Sequence, residues 1–87
     1  MTLDTAPSAS GYVHREAMAL QHLGVAHCAL RRFEEAIDCH QQALAIHRKL
    51  GDRWNESVAL HDVGEVYCAL GRFEEAVDCD QQALAIH

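Results

Sequence analysis

The chain has 87 residues, of which 49% are hydrophobic and 23% are charged, and its formal net charge is −6 at pH 7. This length provides one small domain with a thin core. The excess of acidic residues argues against binding to nucleic-acid phosphates or anionic membranes, and no apolar run reaches the roughly 20 residues of a membrane helix. The N-terminus lacks the pattern of a secretory signal, so we expect a cytoplasmic protein.

The first predicted elements are a lead-in and a long helix. Residues 1–10 are small and polar, contain the only proline, and are predicted to be flexible. From Tyr12 to Leu30 the apolar residues recur at steps of three and four, which predicts an amphipathic helix. Gly24 lies in the middle of this helix, where glycine costs about 1 kcal/mol relative to alanine. We therefore expect a neighbouring helix to approach closely at Gly24.

Three more helices are predicted, over residues 33–50, 53–70 and 73–87. Gly51 is expected to end the second helix, and the Asp52 side chain is expected to cap the third. The connections between the helices are short, so consecutive helices should run antiparallel. The chain is therefore predicted to be all-α, with two antiparallel helix hairpins stacked on one another.

The second half of the chain repeats the first at an offset of 40 residues. Residues 28–47 and 68–87 are identical except at the pairs Arg31/Gly71, Ile37/Val77 and His40/Asp80. A period in this range indicates one supersecondary unit used twice, each copy burying its apolar face on its neighbour. We therefore predict a first repeat at 11–50 and a second, truncated repeat at 51–87. Such an array favours a binding or assembly surface over an enzyme.

The spacing of small and large residues resembles the tetratricopeptide repeat. The first copy reads Leu20-x-x-Leu23-Gly24-x-x-His27, then Ala36-x-x-x-His40-x-x-Ala43, and the second reads Leu60-x-x-Val63-Gly64-x-x-Tyr67, then Ala76-x-x-x-Asp80-x-x-Ala83. The 40-residue unit is similar to repeats of kinesin light chains, of Leu-Gly-Asn-type polarity adaptors and of bacterial nucleotide-binding regulators. The resemblance covers residues 11–87. It implies tight helix contacts at the glycines and alanines of the motif, and a non-enzymatic module that binds or scaffolds proteins.

The resemblance also implies a partner-binding surface, since the first helix of each hairpin lines a concave groove in this family. By motif position the lining would be Met18, Gln21, His22, Val25, Cys28 and Ala29, with Val58, His61, Asp62, Glu65, Cys68 and Ala69 from the second copy. Several of these positions differ between the copies, whereas the small packing residues Gly24/Gly64, Ala36/Ala76 and Ala43/Ala83 do not. The expected partner is a protein or peptide. However, the asparagines that often hold a peptide backbone in 40-residue units are absent from these positions.

The fourth helix presents a second candidate surface, because its apolar side has no predicted repeat beyond it. The residues concerned are Phe73, Val77, Asp80 and Leu84. Terminal repeats need a polar outer face, and Asp80 supplies one polar group there. An apolar stripe of this kind marks an association surface. The alternative function is therefore a structural unit that self-associates into a homo-oligomer.

Four cysteines and seven histidines raise the possibility of a metal site. The cysteines form two repeat-equivalent pairs, Cys28/Cys68 and Cys39/Cys79. No Cys-x-x-Cys motif is present, so buried free thiols in a reducing compartment are favoured. The alternative is a site across the first hairpin formed by His27 and His40, each beside a cysteine, but the second copy has neither histidine. We therefore predict no metal, no cofactor and no catalytic residue.

Trp54 is the only tryptophan, and it falls in the first turn of the third predicted helix. We interpret it as a lid over the junction of the hairpins, packed near Leu50. The alternative is an exposed anchor for a partner, since tryptophan is enriched at binding hot spots.

Overall fold

The computed structural model describes residues 9–86, which form four α-helices. Helix α1 spans Ala9–Ala29, α2 spans Phe33–Leu50, α3 spans Arg53–Ala69 and α4 spans Phe73–Ala85. The described residues include no strand, so the predicted all-α class is confirmed. None of the described helices is both long enough and apolar enough to cross a bilayer.

The predicted helix starts are confirmed for α2, α3 and α4, and the first helix begins earlier than predicted. Helix α1 already includes Ala9 and Ser10, the last two residues of the predicted lead-in. The rest of that lead-in, residues 1–8, lies outside the described residues, as does His87 at the end of the second repeat.

The connections between the helices follow local backbone rules. Gly51 ends α2 with a left-handed φ of 68°, and the Asp52 carboxylate accepts a hydrogen bond from the backbone N–H of Asn55 at 3.1 Å. Both predicted signals are therefore confirmed. Each hairpin corner also contains one left-handed residue, Arg31 in the first copy and Gly71 in the second. Glycine adopts this conformation without the steric cost that arginine incurs.

Each helix packs against the next one along the chain. Helices α1 and α2 form the first hairpin, α3 and α4 form the second, and α2 packs on α3 to join them. The buried apolar clusters lie mainly at this joint: Ala36, Ile37 and Val66 in one, and Leu44, Ala59 and Leu60 in the other. The interface between α2 and α3 is therefore the main apolar core of the described chain.

Small residues allow the helices to approach closely, as the sequence predicts. A Cβ atom added at Gly24 would lie 2.6 Å from Cε1 of His40, and one added at Gly64 would lie 3.0 Å from Oδ1 of Asp80. Three alanines of the motif are also buried, namely Ala36, Ala43 and Ala76. Ala83 also packs against α3, at the cluster that contains Ala59 and Leu60, but it is only half-buried because it lines a groove.

Two predicted packing roles are wrong. Trp54 is 70% exposed, so it is not a lid over the junction of the hairpins. Cys68 is exposed as well, whereas Cys39 and Cys79 are buried as predicted. The equivalent residue Cys28 is half-buried because it packs against the cluster that contains Val66 of α3. No described helix covers Cys68 in the same way.

Candidate functional site

The predicted concave surface runs along α1 and α3. All of its predicted residues except Gln21 are exposed or half-buried. These residues are Met18, His22, Val25, Cys28, Ala29, Val58, His61, Asp62, Glu65, Cys68 and Ala69. A small cleft between the two helices brings several of them together. Its lining is Val25, Cys28, Ala29, Asp62 and Glu65, with His40 and Val66. We call this cleft the concave cleft.

Gln21 is the exception, and the predicted lining is corrected at this residue. Its side chain is buried inside the first hairpin. Its Oε1 lies 2.7 Å from Nε2 of His47, which is itself completely buried. Because an amide oxygen can only accept a hydrogen bond, Nε2 of His47 carries the hydrogen. This pair joins α1 to α2 and is not available to a partner on the concave side.

His40 lies at the floor of the concave cleft. Its ring is 2% exposed and packs against Gly24, and its Nδ1 lies 3.9 Å from Oδ2 of Asp62. Burial lowers the pKa of His40 and outweighs the opposite effect of Asp62 and Glu65. The ring is therefore neutral at pH 7, and the floor of the cleft carries no positive charge.

A larger groove, of about 470 Å³, lies between α3 and α4. We call it the terminal groove, and its lining residues are Ser57, Val58, His61, Asp80, Ala83 and Leu84. Val58 and His61 were predicted for the concave surface, whereas Asp80 and Leu84 were predicted for self-association. The fold therefore brings residues of the two predicted surfaces into one groove.

The first repeat has an equivalent of the terminal groove, and α3 occupies it. The residues 40 positions earlier are Ala17, Met18, Gln21, His40, Ala43 and Leu44. Leu44 packs against Ala59 and Leu60 of α3, and His40 lies beside Asp62 of the same helix. A groove of this type therefore accepts an α-helix in this chain. No described helix covers the terminal groove.

Equivalent residues of α2 and α4 show how much apolar surface α3 covers. Ile37 and Leu44 on α2 are each 8% exposed, whereas Val77 and Leu84 on α4 are 54% and 72% exposed. Phe73, at the start of α4, is also exposed. We call Phe73, Val77 and Leu84 the outer face of α4. The sequence of α4 closely matches that of α2, which α3 covers, but no described helix covers the outer face of α4.

Asp80 differs from the other residues predicted for self-association, because it points towards α3. Its Oδ1 lies 3.3 Å from Nδ1 of His61, and Nε2 of the same ring lies 3.5 Å from Oε2 of Glu65. Two carboxylates therefore flank His61 at the terminal groove. The corresponding positions of the first repeat hold His40 and Val25, so the groove changes from uncharged to acidic between the copies.

One cluster of polar side chains was not predicted from the sequence. His14 on α1, His47 on α2 and Asp52 at the start of α3 each place one potential ligand atom within 4.8 Å of the others. Burial lowers the pKa of His47, and hydrogen bonds from Asn55 lower the pKa of Asp52. A neutral imidazole thus lies near a carboxylate. The sequence feature that could have predicted this cluster is the Gly51 turn, which brings Asp52 back to the last turn of α2, where its N–H donates to the carbonyl of His47.

The fold and its open groove define an α-helical repeat protein. A family model described as tetratricopeptide repeat matches residues 15–87. Because this match spans most of the chain, the protein belongs to the tetratricopeptide repeat family. Repeats of this family generally mediate protein–protein interaction or scaffolding and are typically non-catalytic. No solved structure matches the chain.

Proposed function

We propose that this chain is a protein–protein interaction module whose terminal groove binds one amphipathic helix of a protein partner. The observation that carries the proposal is the position of α3 in the equivalent groove of the first repeat. Val77 and Leu84 remain exposed where Ile37 and Leu44 are covered. Complete burial of one such side chain contributes about 1.5–3 kcal/mol. Binding of a helix in a groove is a common mode of peptide recognition.

The acidic groups of the terminal groove define the chemistry of the partner helix. In the first repeat, Asp62 of α3 lies 3.9 Å from His40. The position equivalent to His40 is Asp80, which repels an incoming aspartate. A helix with lysine or arginine at the position of Asp62 instead forms an ion pair with Asp80. Because Asp80 is half-exposed, such a pair contributes about 0.2–1 kcal/mol and acts mainly on specificity.

Peptides copied from α3 test this proposal directly. A peptide of residues 51–70 carries the apolar face that already fits the first groove. We expect the Asp62→Lys version to bind the protein about two- to fivefold more tightly than the unchanged peptide at low salt. Fluorescence anisotropy with a labelled peptide measures both affinities. The difference should shrink at high salt, because screening weakens a half-exposed ion pair.

Two variants of the protein locate the binding. Leu84→Asp places a charge in the terminal groove and should abolish binding of the Asp62→Lys peptide. Leu30→Asp is the matched control, since Leu30 is also an exposed leucine but lies outside the groove. If Leu84→Asp protein binds the peptide as tightly as Leu30→Asp protein does, the terminal groove is not the binding site.

A second copy of this chain is the alternative occupant, favoured by the exposed outer face of α4. A two-fold dimer with α4 against α4 buries Phe73, Val77 and Leu84 of both copies. Asp80 lies between Val77 and Leu84 on α4, so each copy brings a carboxylate to the edge of that interface, and like-charge repulsion opposes this dimer. We therefore rank a basic helix of another protein ahead of self-association.

We also propose that the module acts in the cytoplasm and has no catalytic role. All four cysteines are free thiols in the structure, which suits a reducing compartment. Burial raises the pKa of Cys39 and of Cys79, so these two thiols stay protonated and are poor nucleophiles. The net charge of −6 disfavours nucleic acid as the partner.

A further inference from the structure

We propose that His14, His47 and Asp52 form a binding site for one Zn²⁺ ion or a similar divalent transition-metal cation. One potential ligand atom from each residue lies within 4.8 Å of the others. Two imidazoles and one carboxylate are a ligand set that Zn²⁺ accepts, and they leave a fourth position for water or a partner group. The ion would connect α1, α2 and the start of α3, which is the joint between the two hairpins.

His47 supplies the observation that points to a ligand. Its side chain is completely buried, and its Nε2 bonds to Oε1 of Gln21 at 2.7 Å. That bond places the hydrogen on Nε2 and leaves the lone pair on Nδ1. Among the described residues, Nδ1 has no hydrogen-bond partner although it is buried. A buried, unpaired nitrogen calls for an explanation, and a bound cation supplies one.

The surroundings of the cluster suit metal binding. Oε1 of Gln21 orients the ring of His47, a role that carboxylates, backbone carbonyls and waters commonly fill for a ligating histidine. Asn55 orients the carboxylate of Asp52, through its backbone N–H at 3.1 Å and its side-chain amide at 2.8 Å. His14 and Asp52 are half-buried, so they leave a path from solvent to the site.

The ligand atoms need only a modest rearrangement to hold an ion. Nδ1 of His14 lies 3.9 Å from Oδ2 of Asp52. Ligand atoms in tetrahedral zinc sites are roughly 3.3 Å apart, given metal–ligand bonds of about 2.0–2.2 Å. Rotation of the half-buried His14 side chain can provide the difference, whereas the buried ring of His47 stays in place.

The cluster lies at the joint between the two repeats, and the second copy lacks one of its ligands. The position equivalent to His14 is Trp54, which cannot act as a ligand through its indole. The site is therefore not a feature copied with the repeat. The prediction of no metal follows from the cysteine spacing and from the histidines beside the cysteines. Neither pattern brings His14, His47 and Asp52 together.

Titration of the whole chain with Zn²⁺ tests the proposal. We expect one equivalent to bind by isothermal titration calorimetry and to raise the melting temperature, because the folded state alone assembles the ligands. His14→Gln and Asp52→Asn should each lower the affinity at least about tenfold. Asparagine caps a helix as well as aspartate does, so Asp52→Asn keeps the start of α3. The matched control, His22→Gln, changes an exposed histidine of the same helix and should bind like the wild type.

Two spectroscopic readouts separate this site from binding by the cysteines. The Co²⁺ complex should lack the thiolate-to-cobalt charge-transfer band, and ¹H–¹⁵N correlations of the imidazoles should show a change at Nδ1 of His47. A thiolate band would overturn the proposal. So would a melting temperature that Zn²⁺ does not raise, or equal affinity in the wild type, His14→Gln and Asp52→Asn.

Discussion

At the scale of single residues, Gly24 and Gly64 hold equivalent positions but face different neighbours. Gly24 contacts the buried ring of His40, and Gly64 contacts the half-exposed carboxylate of Asp80. A buried ring cannot move away from a new methyl group without disturbing the core, whereas a half-exposed carboxylate can rotate towards solvent. A side chain larger than glycine is therefore tolerated less well at residue 24 than at residue 64.

We predict that Gly24→Ala is more destabilising than Gly64→Ala. The new methyl group at residue 24 would lie 2.6–2.8 Å from three atoms of the His40 ring, and overpacking of this kind costs about 1–3 kcal/mol. At residue 64, displacement of the Asp80 side chain is offset by the higher helix propensity of alanine, which is about 1 kcal/mol. Urea unfolding of both variants measures the difference. Equal loss of stability in the two variants would show that His40 is not fixed against Gly24.

The buried His40 should make the protein less stable in mild acid. Its folded-state pKa is lowered, chiefly by burial and against the effect of Asp62 and Glu65. The unfolded chain therefore takes up the proton first as the pH falls. The contribution of this residue is fully present above its ordinary pKa of 6.5 and is lost as the pH falls from there towards the folded-state pKa. His47 acts in the same direction, also because of burial.

The measurement is the free energy of unfolding as a function of pH, in the presence of a chelator. We expect His40→Gln to have a smaller slope than the wild type between neutral pH and pH 5. His22→Gln, at an exposed position of α1, is the control and should keep the wild-type slope. An unchanged slope in His40→Gln would contradict the burial argument.

At the scale of the helices, α2 and α4 are nearly identical in sequence and differ in their surroundings. The neighbour α3 covers the outer side of α2, and no described helix covers that of α4. A helix rarely keeps such an apolar face without a partner, since exposed apolar patches of this kind mark interaction sites. The outer face of α4 is therefore expected to bind a helix, as the same side of α2 does.

If a second copy covers α4, the oligomeric state should respond to two substitutions in opposite directions. Asp80→Leu removes the carboxylates that lie beside the interface of a two-fold dimer and should tighten it. Leu84→Asp adds a pair of charges at the same interface and should disrupt it. Sedimentation velocity at micromolar concentration measures both. A wild-type monomer that Leu84→Asp leaves unchanged would exclude self-association through this face.

At the scale of the whole molecule, the features predicted correctly from the sequence are those that local rules determine. The starts of α2, α3 and α4, the cap at Asp52 and the turn at Gly51 all depend on residues that are close in sequence. The close contacts at Gly24 and Gly64 were predictable because the same glycine recurs where helix propensity disfavours it. The family follows from these repeated positions.

The errors concern side chains whose surroundings depend on the packing of distant elements. Motif position places Gln21 on the concave surface, but its amide turns inward to the buried His47. The sequence predicts Trp54 at the junction of the hairpins, but its side chain is exposed to solvent. Local pattern does not determine these orientations, because each depends on how two helices are rotated against each other.

We propose that the terminal groove, and not the concave cleft, binds a partner helix. The most direct measurement is an NMR chemical-shift map of the ¹⁵N-labelled protein with the Asp62→Lys peptide of residues 51–70. We predict the largest changes at Val58, His61, Ala83 and Leu84. Changes confined to the concave cleft, at Val25, Cys28 and Ala29, or no change at saturating peptide, would contradict the claim.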